Sequence, residues 1–359
     1  MGMTDTNMVL LGDVATYING YPFSPSDYSE MGRPIIRIQN LTGNDHQTNH
    51  FAGEISPKYL VQRGDILVSW SASLGVYVWK GENAWLNQHI FKVVFDKMPI
   101  EHSFFFHQMS YLLLKSSSLA HGATMKHLTK RMFDALPFRL PSPDAQKHQS
   151  SVLNLIDTLI DQACYQAGRI DMLVKSQFVE MFESSRTYRK VFISDVASRI
   201  FAGGDKPSDI SRTPSEEYKY PVFANGETGK GLQGYSRTYK VGEPALTISA
   251  RGTIGYCCIR SARFTPCVRL ITVIPETNSV NLTFLKQAVN NMKLATSGTS
   301  QAQLTVPDFS KMRIPLPPLP LQEEFARFAE QADKSQFAIK QVIEKLGTLK
   351  GSLMQRYFG

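Results

Sequence analysis

The chain contains one sequence pattern twice, and the two copies lie about 176 residues apart. Residues 122–149 align with residues 298–325 without a gap, and each copy leads into a long amphipathic segment. A repeat of this length indicates two duplicated domains, because solenoid repeats have much shorter periods. The identities that carry the match are Gly122, Leu128, Thr129, Phe133, Leu140, Pro141 and Gln146, which fall on Gly298, Leu304, Thr305, Phe309, Leu316, Pro317 and Gln322.

The part of the chain that precedes each copy is repeated as well. Residues 68–75 match residues 248–255, which places Ser71 on Arg251. Outside such framework positions the two halves differ strongly in sequence. A shared framework with dissimilar loops is expected of two domains that recognise different targets.

Short runs of β-branched and aromatic residues predict strands at 34–38, 65–70 and 90–95. Residues 101–117 predict a helix, and the proline-bearing residues 137–143 predict an extended connector. We therefore expect an α+β fold with two tandem globules, each a mixed sheet of short strands with helices and each followed by a long helix.

The two long helices are predicted by the spacing of their apolar residues. Residues 145–185 and 318–359 each place such residues at alternating steps of three and four, which is typical of coiled coils. We expect the helices to pack on each other or jointly on a partner chain; two unrelated helices, each docked on its own globule, are the alternative. The predicted interface positions are Val152, Ile156, Leu159, Ile170, Leu173, Phe325, Phe328, Ile339, Val342, Leu346, Leu349 and Leu353.

The net charge of +8 is distributed unevenly along the chain. Residues 1–144 carry 12 basic and 12 acidic side chains, whereas residues 186–317 carry 18 and 9. Because Lys and Arg release condensed counterions from phosphate, the second globule is predicted to bind a polyanion. A basic surface that serves only solubility is the alternative.

No motif for catalysis or metal binding is evident in the sequence. The glycine-rich residues 226–231 lack the first glycine and the hydroxyl of a phosphate-binding loop. All eight histidines lie at or before His148, without the spacing of metal ligands. No apolar run approaches the ~18 residues that span a bilayer, and the start lacks a secretory signal. We expect a non-catalytic, metal-free cytoplasmic chain with reduced cysteines.

Several motifs, in this order and with this duplication, resemble those of a known protein family. They are residues 314–325 (Ile-Pro-Leu-Pro-Pro-Leu-Pro-Leu-Gln-Glu-Glu-Phe) and the weaker copy at 140–147, together with 64–69, 86–93, 221–226 and 251–255. In these features the chain resembles the DNA-specificity subunit of type I restriction–modification systems.

The resemblance implies two target-recognition domains, at residues 1–144 and 186–317, each of which would read one half of an interrupted DNA site. The helices at 145–185 and 318–359 would form an antiparallel coiled coil that fixes the distance between the half-sites and docks two modification subunits. Those subunits would bring S-adenosylmethionine and methylate adenine. A motor–nuclease subunit, with ATP and Mg²⁺, is a further candidate partner for restriction.

Candidate DNA contacts follow from residue type and loop position. Arg can hold guanine through two hydrogen bonds, Gln can read adenine, and Lys and Arg can reach phosphates. Arg251 lies on a glycine-containing turn after a strand and is the leading candidate, although a solvated surface role is the alternative for each residue. The set is Arg37, Asn40, Trp70, Ser71, His89, Lys126, His127, Lys130, Arg131, Lys206, Asn225, Lys230, Gln233, Arg251, Thr253, Gln301 and Gln303.

Three other functions remain open at the level of sequence. The chain could be the specificity chain of a complex whose methylase and nuclease are fused. It could be a stand-alone DNA-binding regulator that uses the helices only to form a homodimer. It could also be a self-contained nuclease or methylase with an unrecognised motif. Purification separates these cases by whether large catalytic partners, a dimer or intrinsic activity are found.

Overall fold

The computed structural model describes residues 7–43, 48–71, 73–119, 130–184, 188–292 and 303–359. The chain divides into two compact units. The first comprises Met1–Gln162 and Val342–Gly359, and the second comprises Ala163–Gln341. Each unit therefore contains one globule and a part of both long helices.

The first unit contains ten strands and, besides its share of the long helices, four α-helices among its described residues. The strands are β1 (Asn7–Leu10), β2 (Thr16–Asn19), β3 (Arg33–Ile36), β4 (His50–Phe51), β5 (Leu60–Val61), β6 (Ile66–Ser69), β7 (Gly75–Val78), β8 (Ala84–Leu86), β9 (Ile90–Val94) and β10 (Pro137–Leu140). The helices are α1 (Leu11–Val14), α2 (Ile38–Thr42), α3 (His102–Leu119) and α4 (Lys130–Asp134).

These strands form two four-stranded sheets, with the spatial orders β2-β9-β6-β7 and β4-β3-β8-β5. β3 and β8 run parallel, the other pairs in these sheets are antiparallel, and β1 pairs separately with β10. All four residues of β6 are buried, which explains why its first three residues, 66–68, are all apolar. The main core lies between the first sheet and helices α3 and α4, and it contains Phe91, Phe105 and Phe133.

The second unit repeats this architecture. Its strands are β11 (Lys190–Phe192), β12 (Ala197–Ala202), β13 (Tyr220–Phe223), β14 (Leu232–Ser236), β15 (Ala245–Ile248), β16 (Cys257–Arg260), β17 (Thr265–Pro266), β18 (Ile271–Pro275) and β19 (Arg313–Pro315). Sheet β12-β18-β15-β16 reproduces the order β2-β9-β6-β7, and the three-stranded sheet β14-β13-β17 reproduces β4-β3-β8 without a fourth strand equivalent to β5 among the described residues. β11 pairs with β19 as β1 pairs with β10. The long helix α5 (Pro143–Phe178) comes before these strands, α6 (Leu282–Asn290) and α7 (Val306–Ser310) lie between β18 and β19, and the long helix α8 (Leu319–Phe358) comes last.

One predicted strand ends earlier than its sequence suggests. The apolar residues 34–38 predict a single strand, but β3 ends at Ile36 and α2 begins at Ile38. The side chain of Asn40 accepts a hydrogen bond from the Arg37 N–H at 2.9 Å, which fixes the start of this helix. A local side-chain cap therefore ends the strand where apolar content alone would extend it.

Helices α5 and α8 pair in antiparallel order within each unit. In the first unit, Lys350 on α8 contacts Asp157 on α5 at 2.5 Å between Nζ and Oδ1. In the second unit, an earlier residue of α8, Gln336, donates to Asp171, a later residue of α5, at 2.5 Å. The predicted antiparallel pairing of two long helices is confirmed.

On both long helices, some predicted interface residues are exposed, and they alternate along the helix with predicted residues that are buried or half-buried. Ile156 is buried as predicted, but Leu159 and Leu173 are 41% and 53% exposed. The positions that face inward there are the next residues along, Ile160 and Val174. The more buried side of α5 therefore includes these neighbours.

The same shift occurs on α8. Val342 and Leu349 are each 49% exposed, whereas Ile343 and Lys350 are half-buried. Lys350 can occupy an inward position because its aliphatic stem packs while its ammonium reaches Asp157. A role for the exposed apolar residues toward a partner chain stays a prediction.

A buried glutamine fastens the start of each long helix, which explains why this residue is repeated. Gln146, 2% exposed, accepts the Glu101 N–H at 3.0 Å and donates to the Pro141 carbonyl at 2.9 Å. Gln322, 0% exposed, accepts the Asn281 N–H at 2.9 Å. It also donates to the carbonyls of Pro317 and Ser279, at 2.8 and 3.1 Å.

Candidate nucleic-acid interface

The first unit has a polar depression beside the end of the parallel strands β3 and β8. Asn87 follows β8, and its N–H donates to the carbonyl of Ile36, the last residue of β3, at 3.2 Å. The chain then turns at His89, whose φ of 78° is unusual for a residue other than glycine. The depression contains two predicted DNA contacts, Arg37 and His89, and its other lining residues are Phe23, Tyr28, Ile38, Gln39, Asn87 and Gln88.

The second unit has a depression beside the corresponding strand ends. Cys267 follows β17, and its N–H donates to the carbonyl of Phe223, the last residue of β13, at 2.8 Å. The chain then turns through Val268 and Arg269, whose φ values are 52° and 58°. The lining contains the predicted contacts Asn225, Arg251 and Thr253, together with Gly226, Glu227, Thr228, Gly252 and Val268.

His89 and Arg269 occupy equivalent positions in the repeated fold. Each follows the end of its strand by three residues, has a positive φ and is exposed. The residue after each one accepts a hydrogen bond from a glycine N–H, from Gly20 at 3.1 Å and from Gly203 at 2.9 Å. Arg269 was not among the predicted contacts, although its match to His89 across the repeat was an available signal.

Arg251 is held in a defined orientation above the second depression. Its Nε and Nη2 both donate to Oε1 of Gln303, at 3.1 and 2.8 Å. The next residue, Leu304, is buried and donates its N–H to the carbonyl of Ala250 at 3.0 Å. The two predicted contacts Arg251 and Gln303 are thus brought together from distant parts of the chain.

The Asn225 side chain joins the turns that surround this depression. Its Oδ1 accepts the Ala250 N–H at 2.8 Å, and its Nδ2 donates to the Val268 carbonyl at 2.5 Å. Asn225 therefore supports both the turn that carries Arg251 and the turn that carries Arg269. This leaves only part of its hydrogen-bonding capacity for a ligand.

A buried arginine, which the sequence did not indicate, supports the turn that contains Lys230. Arg260 is 4% exposed, and its Nε and Nη2 donate to Thr247 Oγ1 at 2.9 Å and to the Lys230 carbonyl at 2.7 Å. Its guanidinium lies 3.7 Å from the ring centre of Phe223, and burial lowers its pKa. Lys230 itself is exposed with a φ of 54°, and Gln233 is exposed nearby in sequence.

The predicted contacts Trp70 and Ser71 in the first unit are less exposed. The Trp70 ring stacks on Phe91, with 5.6 Å between ring centres, and its Nε1 donates to Asn19 Oδ1 at 3.3 Å. The ring of Trp70 also lies 5.3 Å from that of His89. Ser71 is only 5% exposed. Trp70 thus packs beneath the turn that carries His89.

Other predicted contacts lie away from these depressions or outside the described residues. Lys130 forms an ion pair with Asp134 at 2.7 Å, and Lys130 and Arg131 line a separate depression with Gly12 and Asp13. Lys126, His127 and Gln301 lie outside the described residues.

Cations lie near Cys267, which precedes the turn that borders the second depression. Burial raises the pKa of Cys267, and the nearby ammonium groups of Lys206 and Lys240 oppose this rise. Both lysines are exposed, as are Arg251 and Arg269. The uneven charge of the sequence therefore appears as positive side chains around the depression of the second unit.

Among the residues that the structure describes, no three His, Cys, Asp or Glu side chains are grouped so that they could hold a metal ion. Likewise, none of the helices there combines the length and apolar character required to cross a bilayer.

The sequence matches a family model over both repeats and matches individual known proteins over part of its length. The family model for the type I restriction modification DNA specificity domain matches residues 3–163 and again residues 186–346. Two proteins of Mycoplasma pneumoniae named as type I specificity subunits are 36% and 35% identical over 139 and 144 residues. These stretches are 39% and 40% of this chain, and this chain spans only 38% and 42% of the two relatives' length. The specificity subunit of the EcoBI type I restriction enzyme of Escherichia coli is 26% identical over 167 residues, 46% of this chain and 34% of that protein.

Solved structures share the fold over almost the whole chain. The crystal structure of the S subunit of a type I restriction–modification system from M. genitalium aligns with 99% of this chain and 96% of its own, with a TM-score of 0.60 and 12% identity. A chain from a structural study of the assembly of the type I restriction–modification system aligns with 98% and 97%, with a TM-score of 0.58 and 15% identity. Because the family model covers both repeats and most of the residues, this chain belongs to the family of type I restriction–modification DNA specificity proteins.

Proposed function

We propose that this chain is the DNA-specificity subunit of a type I restriction–modification complex. It binds a bipartite duplex site and presents that site to modification subunits, which methylate adenine. The observation that carries the proposal is the duplicated depression, because both units bring polar and cationic side chains to the same place in the same fold. Family membership supports the same function.

The two depressions differ in the side chains that they offer to DNA. The first presents Arg37 and His89, and the second presents Arg251 and Thr253, with the exposed Arg269 on the adjoining turn. Since base edges are distinguished by their donors and acceptors, different side chains on one framework favour two different half-sites. The greater number of cations around the second depression favours tighter phosphate contact there.

We further propose that α5 and α8 set the distance between the half-sites and dock two modification subunits. A helix of 36 residues, the length of α5, extends about 54 Å at ~1.5 Å per residue. This exceeds the ~34–36 Å between half-sites one DNA turn apart. The exposed apolar side chains of Leu159, Leu173, Val342 and Leu349 are available for the docking of these subunits.

The chemistry belongs to the partners in this proposal. The modification subunits supply S-adenosylmethionine, and each target adenine leaves the base stack to reach the methyl donor. A motor–nuclease subunit that uses ATP and Mg²⁺ joins the complex when DNA is cut. This chain contributes recognition and spacing, and no catalytic group.

Genome-wide mapping of methylated bases tests the proposal directly. Cells that carry this chain with its neighbouring modification gene are compared with cells that lack this chain alone and with cells in which it is restored. The expected result is a split motif, two short specific halves around a fixed number of unspecified bases, that disappears on deletion and returns on restoration. Methylation that is identical in all three would contradict the proposal, and copurification would then separate a regulator from a subunit of another complex.

A further inference from the structure

We propose that Gln303 is a positioning residue for specificity, which orients Arg251 so that this arginine reads one guanine in the half-site of the second unit. The inference rests on the proposed function and adds to it a named base contact. Both side chains belong to the second unit, and they meet at the rim of its depression.

The geometry of the pair leaves one end of the guanidinium without a partner among the residues that the structure describes. An arginine side chain has five N–H donors in a planar fork. Nε and Nη2 each direct a donor to Oε1 of Gln303, at 3.1 and 2.8 Å. The remaining three donors lie on Nη1 and on the outer side of Nη2. These are the groups that can donate in parallel to O6 and N7 of guanine.

The same contact argues against an independent role for Gln303 in reading adenine. A glutamine that holds adenine accepts from N6 with its carbonyl oxygen and donates to N7 with its amide nitrogen. The two N–H groups of Arg251 already approach Oε1 of Gln303, and a carbonyl oxygen has two lone pairs. Gln303 is therefore committed to Arg251, and the prediction of a direct adenine contact gives way to one of support.

The framework fixes both members of the pair before DNA arrives. Leu304 is 1% exposed and its N–H bonds to the carbonyl of Ala250, the residue before Arg251, at 3.0 Å. The Thr305 hydroxyl then caps α7 by accepting the Asp308 N–H at 3.2 Å. Because Arg251 is already oriented, it loses less side-chain entropy when it binds a base.

The test uses the intact complex and compares three substitutions at position 303. Gln303→Met keeps the size of the side chain but removes the acceptor, Gln303→Glu keeps an acceptor that can take both N–H groups, and Gln303→Ala removes the side chain. Arg251→Ala and the double variant Arg251→Ala with Gln303→Met complete a double-mutant cycle. Methylated sites are sequenced for each, and binding is measured on duplexes that carry each base at each half-site position.

Arg251→Ala is expected to reduce discrimination at one guanine position about 5- to 150-fold, the range of ~1–3 kcal/mol for a base contact. Gln303→Met and Gln303→Ala are expected to reduce discrimination at that same position about 2- to 10-fold, as for the loss of a supporting hydrogen bond. Gln303→Glu should retain the wild-type discrimination at that position. The double variant should be no worse than Arg251→Ala alone.

Unchanged base preference in Gln303→Met, or a loss spread evenly over all positions, would overturn the inference, since even loss is the mark of a phosphate contact. A change at a position that Arg251→Ala leaves unaffected would also overturn it. Failure of the proposed function looks different, because the wild-type complex would then show no split motif. Thermal unfolding of Gln303→Met and Gln303→Glu checks that both fold alike.

Discussion

Arg269 combines an unfavourable backbone conformation with an exposed positive charge. Its φ of 58° lies in the left-handed region, which glycine adopts without a steric cost. Residues in such conformations persist only where the surrounding structure holds them, and they are concentrated at functional sites. Here Asn225 holds the adjacent Val268 carbonyl, and the Arg269 N–H bonds to Gly203 at 2.9 Å.

Arg269→Gly is therefore expected to weaken DNA binding without weakening the fold. Loss of one phosphate contact should lower the slope of log K against log salt by about 1. The free energy of unfolding should stay constant or rise by up to about 1 kcal/mol, because glycine relieves the strain. Fluorescence anisotropy at several salt concentrations and denaturant unfolding measure the two effects. Arg263→Gly is the matched control, since Arg263 is also exposed with a φ of 69°. Its turn contributes no lining residue to the depression, whereas the turn of Arg269 contributes Val268.

At this scale the sequence predicted which residue types would surround the depressions but not how they would pair. Arg251 follows from its position on a glycine-containing turn. Its bond to Gln303 joins residues 52 positions apart, and that of Asn225 to Val268 joins residues 43 apart. Such pairings depend on where the sheets place each turn, which residue type and spacing do not specify.

Gln322 illustrates how one side chain can fasten two elements together. Gln322→Ala would leave the Asn281 N–H and the carbonyls of Pro317 and Ser279 without their partner in a buried region. An unpaired buried polar group costs about 1–3 kcal/mol, so the free energy of unfolding should fall by at least this amount. Denaturant unfolding gives the value. Gln331→Ala, at an exposed position of the same helix, is the control, and an equal effect in both would contradict the role of Gln322.

His107 makes the packing of α3 on α5 sensitive to pH. It is 1% exposed, and its Nε2 lies 2.8 Å from Oδ1 of Asn154. Burial lowers the pKa of His107, and the Lys350 ammonium acts in the same direction, whereas the Asn154 contact and the carboxylates of Asp157 and Glu101 oppose the shift. A lowered pKa means that the folded state takes up a proton less readily than the unfolded state.

The stability contributed by neutral His107 is therefore full above the ordinary histidine pKa of 6.5 and is lost as pH falls through the lower pKa of the folded protein. The melting temperature of the wild type should fall more steeply below this pH than that of His107→Gln, which cannot take up a proton there. Calorimetry from about pH 8 to pH 5 measures both curves. If melting temperature depends on pH in the same way in both proteins, groups other than His107 cause the pH dependence.

The existence of the long helices could be predicted, whereas their buried face could not be fully assigned. A heptad count relies on the spacing of apolar residues, so it could not choose between the adjacent apolar residues Leu159 and Ile160. It selected Leu349 over Lys350 because lysine is charged. The antiparallel partner helix determines which of the two faces inward. Lys350 faces inward because Asp157 lies opposite on α5. Its orientation therefore depends on both helices and cannot be predicted from the sequence of α8 alone.

For the whole molecule, the duplication was the most reliable guide in the sequence. It predicted two copies of one fold, which the repeated sheet order confirms. The sequence did not indicate that Val342–Gly359, the end of the chain, belongs to the same compact unit as Met1–Gln162. That arrangement results from antiparallel pairing of the helices, in which the end of α8 lies beside the start of α5.

The helix pair provides the decisive test of the proposed spacing function. Insertion of seven residues into α5 after Gln166, with a matching insertion in α8 after Ile339, lengthens both helices by ~10 Å while keeping the heptad phase. At ~3.4 Å per base pair, the unspecified spacer of the recognised site should grow by roughly three base pairs. Both half-site sequences should remain unchanged, because the depressions lie far along the chain from the insertions. Methylation mapping of the variant complex determines the spacer length and both half-site sequences in one experiment. The same spacer in variant and wild type would rule out the helices as the element that sets the distance, whereas altered half-sites would show that the insertion disturbed the recognition units themselves.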